Sequence, residues 1–167
     1  RVRDENGDES QKIDFIKALK RYGVSVNDEL QDMYIKYKKP EVYIDAINSN
    51  IIDYVTNPSI NDKKYYSDSL LENAKNYSDT AFVIISRYGS EGRDASKTTQ
   101  KKYNMSDDTT RTYLDLSSEE EELITYVSET YKKVVVIINS TNIMNLRFLE
   151  TIPNIGACMM VGPTGTK

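Results

Sequence analysis

Glu91 stands between two glycines in the run Arg87-Tyr88-Gly89-Ser90-Glu91-Gly92-Arg93-Asp94, directly after the apolar stretch Ala81 to Ser86. A carboxylate so placed can project into a cleft, because Gly89 and Gly92 allow positive φ and a close approach of the backbone to a ligand. Asp94, Arg87 and Arg93 supply charge nearby, and Tyr88, three residues ahead of Glu91, offers an aromatic face that can line a cleft. The chain has no His and a single cysteine, Cys158, which excludes His-dependent triads, zinc-protease chemistry and an internal disulfide. Cys158 reads as a small buried hydrophobe in an apolar strand. Spacing alone favours the plainer reading of a solvated turn with two glycines.

The elements that must position this turn alternate between helical and strand patterns. Ser10 can cap a helix with Ile13, Ile16 and Leu19 on one face and Gly23 at its end. Asn27 can cap a second, with Leu30, Met33, Tyr34 and Tyr37 at helical spacing before Pro40. Residues 41–66 lose periodicity and read as a surface excursion. Ser67 opens a helix through Leu70, Leu71 and Ala74, and Ala81 to Ser86 has the composition of a strand buried on both faces. Residues 95–111 read as a long exposed loop.

Ser117 with Glu120 forms a capping box for a helix reaching about Tyr131, and Glu119 to Glu122 suit the positive end of its dipole as a solvated start. That run lacks the alternating oxygen ligands of a calcium loop. Val134 to Ile138 is a second buried strand, Asn139-Ser140 a turn, Ile143 to Leu149 a short helix with Leu146 and Leu149 inward, and Ile155 to Val161 a third strand. Helix followed repeatedly by buried strand predicts an α/β fold, a three-layer sandwich with a mostly parallel sheet flanked by helices. Ligands of such sheets gather at the carboxyl ends of the strands, where the Glu91 turn, Asn139-Ser140 and Gly162-Pro163 fall.

The 167 residues carry 22 Lys plus Arg against 26 Asp plus Glu, a net charge of −4, with no long basic run to neutralise phosphates. Nucleic acid is therefore not an expected partner. The longest apolar runs fall well short of the roughly 20 residues of a spanning helix, so no membrane partner is expected either. The 13 tyrosines invite a sugar-stacking argument, but Tyr34, Tyr37, Tyr126 and Tyr131 sit at helical positions suited to packing, with their hydroxyls at the surface. The polar opening at Arg1 and the turn-like close at Lys167 suggest a domain truncated at both ends.

Three segments in order carry a family resemblance: Ala81 to Asp94, Tyr113 to Ile124, and Val134 to Ser140. With Asn154 to Gly165 they resemble the second domain of glycoside hydrolase family 3, the β-glucosidases and related exo-acting enzymes, over roughly residues 10–165. The resemblance implies that residues 1–167 form the C-terminal-type α/β sandwich domain, that Glu91 is the acid/base, and that Asp94 borders the substrate, where the position of Tyr88 three residues before Glu91 also places a candidate contact. Asp94 is implied to brace the loop. Family members often carry Arg directly after that acidic residue, whereas here Ala95 follows, and the turn Gly162 to Gly165 is shorter than the family's usual form.

The resemblance further implies a β-linked oligosaccharide or glycoside as substrate, and an N-terminal barrel of the parent chain as the partner that supplies the nucleophile. It implies no cofactor and no metal. Since one carboxyl group is not enough for the reaction, the isolated chain is expected to be inactive. The alternative from the residues alone is a non-catalytic α/β module that binds a ligand or partner through the same strand ends.

Overall fold

A computed structural model describes residues 15–37, 57–87, 99–103, 106–140 and 142–162. Three strands, β1 (Thr80–Arg87), β2 (Lys133–Ser140) and β3 (Ala157–Val161), form a parallel sheet in the order β1-β2-β3. The helices are α1 (Phe15–Arg21), α2 (Asp28–Lys36), α3 (Asp68–Tyr77), α4 (Ser118–Thr130) and the single turn α5 (Phe148–Thr151). This is the α/β fold that the alternating pattern predicts. Parallel neighbours need a crossover, and α4 occupies the one between β1 and β2.

Local chemistry explains where the helices begin and end. The side chains of Asn27, Ser67 and Ser117 accept the backbone N–H of Leu30, Leu70 and Glu120, so each helix gains a partner for an otherwise orphaned donor. At α1 the chain stops on Gly23, whose φ of +76° favours glycine. There the Gly23 N–H donates to the Lys20 carbonyl at 3.1 Å and the Val24 N–H to the Leu19 carbonyl at 3.0 Å, closing a Schellman motif. The Ser10 and Ile13 end of that helix lies outside the described residues.

Strand alternation sorts the sheet into two faces. One carries Val83 and Ile85 of β1 with Val134, Val136 and Ile138 of β2, and these join Met33, Leu70, Leu123, Ile124 and Val127 in one apolar core. Each fully buried Ile there contributes about 1.5–3 kcal/mol through lost apolar exposure. On the other face Phe82 is 46% exposed, Ile84 36% and Met159 54%. The ring of Phe15 on α1 meets Phe82 edge-on at 5.9 Å. Among the described residues β1 is thus buried on one face, where its apolar composition suggests two.

Five further expectations change. Residues 41–66 are not wholly a surface excursion, since Ile60 and Tyr66 enter the core. Tyr66 also pairs with Tyr34, hydroxyl to hydroxyl, so the Tyr34 oxygen faces a neighbour instead of water alone. Asn139 and Ser140 continue β2 and do not form a turn. The helix near residue 146 begins only at Phe148, and Met144 with Phe148 point inward, leaving Leu146 and Leu149 partly exposed. Cys158 is half-buried in β3, and that burial raises its thiol pKa.

Candidate active site

Parallel pairing brings the carboxyl ends of all three strands to one edge of the sheet. Arg87, the last residue of β1, is in register with Ser140, the last of β2, while Asn139 is in register with Val161, the last of β3. The segments that continue from these ends, beginning at Tyr88, residue 141 and Gly162, therefore leave the same edge, where α/β sheets place their ligands. Tyr88, Glu91 and Asp94 lie outside the described residues, as does the turn from Pro163 to Gly165. The described structure fixes the point at which the Glu91 segment departs.

That point is held by Arg87. Its guanidinium donates from Nε to the Tyr113 carbonyl at 2.8 Å, and from one terminal nitrogen to the Ser86 carbonyl at 2.9 Å and Glu120 Oε1 at 2.7 Å. The other terminal nitrogen donates to the Asp115 carbonyl at 2.8 Å and Glu120 Oε2 at 2.5 Å. All five N–H donors of an arginine are thereby used. Both side chains of the Arg87–Glu120 pair are 0% exposed. Arg87 therefore does not lend its charge to a cleft, contrary to the sequence expectation.

Glu120 does three things at once. Its Oε2 also accepts the Ser117 N–H at 2.9 Å, while its own N–H donates to Ser117 Oγ, so the capping box is complete and buried. The expected solvated helix start is thus incorrect at this residue. Its neighbour Glu121 pairs with Arg111, which in turn pairs with Asp108. A buried bidentate pair demands good geometry, and removing one partner typically costs about 3–5 kcal/mol because the other charge is left uncompensated.

The stretch between β1 and α4 is likewise more ordered than its polar composition suggests. Gln100 and Tyr113 are fully buried, and Gln100 Nε2 donates to the carbonyls of Thr112, Asp115 and Leu116. Gln100 Oε1 accepts from Ser106 Oγ at 2.8 Å. Asp115 accepts from the Thr112 backbone and hydroxyl and from Asn145 Nδ2, tying this loop to the segment after β2. Burial alone would raise the Asp115 pKa, but these three donors outweigh it and lower the net value. The described portion of the expected exposed loop is therefore a polar scaffold beneath the strand ends.

Sequence reasoning missed Arg87–Glu120 and Gln100 as structural anchors. The only local signals were an Arg closing an apolar strand and a Glu at the third position of a capping box, and nothing in either run specifies a partner 33 positions away. Elsewhere an open groove of about 550 Å³ runs past Ile60, Lys63, Leu71, Arg111 and Glu122, with none of the strand ends in its lining. Among the described residues no group of three or more His, Cys, Asp or Glu gathers as a metal would require. None of their helices is long and apolar enough to cross a membrane. The sequence matches no protein-family model and no curated protein.

Proposed function

We propose that this chain is the part of a β-glucosidase-like retaining exo-glycosidase that supplies the acid/base carboxyl, Glu91, to an active site completed by a barrel domain of the parent chain. The reading rests on the ordered family motifs, and its main structural support is that β1 ends at Arg87, so the segment bearing Glu91 begins at the carboxyl edge of a parallel sheet. The substrate is a glycoside with a terminal β-linked sugar.

Retaining hydrolysis uses two carboxyl groups about 5–5.5 Å apart. The partner domain's carboxylate attacks the anomeric carbon while Glu91 gives its proton to the departing glycosidic oxygen. In the second step Glu91 removes a proton from water as that water displaces the enzyme carboxylate. The role requires a carboxyl that holds its proton near neutral pH, a condition met by desolvation and by the adjacent negative nucleophile. Tyr88 and Asp94 border the same site, Asp94 bracing the loop. Without the second carboxyl group the isolated chain hydrolyses nothing.

Glu91→Ala in the parent enzyme tests the assignment. The variant is expected to lose about 10²–10⁴-fold in kcat/KM on alkyl glycosides, whose leaving oxygen needs the proton. Activated aryl glycosides should be largely spared in the glycosylation step. Wild-type activity on both classes would remove Glu91 from the mechanism and leave the chain as a binding module.

A further inference from the structure

Arg87 and Glu120 form a buried charged pair where the apolar core gives way to the polar scaffold at the end of β1. The preceding inward positions of β1 are Val83 and Ile85, the facing positions of β2 include Val136 and Ile138, and all belong to the core. A buried ion pair seldom stabilises a fold more than well-packed apolar residues of the same volume would. What the fork adds is geometry, because two parallel N–H···O bonds fix both distance and orientation, whereas apolar contacts tolerate sliding. Arg87 binds three backbone carbonyls as well, at Ser86, Tyr113 and Asp115. The end of β1, the scaffold loop and the first turn of α4 are thus joined at one guanidinium, four residues before Glu91.

We propose that Arg87 and Glu120 are positioning residues for the acid/base carboxyl, setting where the Glu91 segment leaves the sheet while touching no substrate themselves. This rests on the glycosidase reading above. A misplacement of about 1 Å can cost 10²-fold in a step that depends on alignment. Proton donation to a poor leaving group is such a step, and displacement of an activated aryl group is not.

The test compares kcat/KM on an alkyl β-glycoside and on a dinitrophenyl β-glycoside in the parent enzyme carrying Glu120→Gln, Arg87→Lys or Glu91→Ala. Competent sites are counted by titration with a 2-deoxy-2-fluoro glycoside, so that loss of folded protein drops out. In Glu120→Gln and Arg87→Lys the alkyl glycoside should lose at least about tenfold more than the dinitrophenyl glycoside. Arg87→Lys keeps the charge but loses the fork and part of the carbonyl bonding, since an ammonium has three donors in place of five, and it remains informative where Glu120→Gln does not fold. Proportional losses on both substrates, or no loss, would overturn the positioning role. Failure of both variants to fold would assign the pair to folding and overturn it equally. If Glu91→Ala treats the two substrates alike, the glycosidase reading itself falls; if Glu91→Ala separates them and Glu120→Gln does not, only the positioning role falls.

Discussion

Asp108 illustrates how much of this chain's polar chemistry is structural. The Thr110 hydroxyl, the backbone N–H groups of Thr110 and Arg111, and the Arg111 guanidinium hold its carboxyl at a pKa of about 2. A carboxyl with a native pKa below its unfolded value of ~3.9 adds stability that is complete above that value and is lost as pH falls from about 4 through about 2. In urea denaturation, Asp108→Asn should therefore be less stable than wild type at neutral pH, with the gap closing across that acid window. Parallel stability curves from neutral pH down to about pH 2 would contradict the assignment. Gln100 and Arg87 are structural too, but through donation to carbonyls of loop residues distant in sequence. Such partners are set by tertiary approach, which is why polar composition alone made residues 95–111 look like an exposed loop.

At the scale of elements, signals confined to a few neighbouring residues were legible. Caps at Asn27, Ser67 and Ser117 and the Gly23 stop all depend on contacts within about one turn of helix, and the structure has each of them. The α5 region was misread because Ile143, Leu146 and Leu149 repeat at helical spacing, whereas packing buries Met144 and Phe148 instead. Asn154 carried no legible signal. It adopts a φ of +63°, and its side-chain amide donates to the carbonyls of Ser128 and Tyr131, capping the end of α4 just ahead of β3. Asn154→Ala should lower stability by about 2 kcal/mol through lost hydrogen bonds and left-handed strain, and Asn154→Gly by about half that because glycine removes the strain. Equal losses in thermal unfolding of the two variants would show that strain has no part in it.

For the whole molecule, the parallel α/β architecture follows from apolar runs alternating with capped helices, and the structure has it. Strand faces were less legible: Ala81 to Ser86 is apolar at every position but its last, yet only one side of β1 is buried among the described residues. Composition reports how apolar a strand is, while the elements packed against it decide which side is covered. The catalytic proposal depends on Glu91 standing in a family-like motif at the sheet edge that β1 defines. Its role in the second chemical step gives the sharpest test. With an activated aryl β-glycoside, Glu91→Ala in the parent enzyme should stall after glycosylation, and added azide, which needs no general base, should restore turnover and yield the β-configured glycosyl azide. Unimpaired hydrolysis without azide, or an azide product of inverted configuration, would contradict the account.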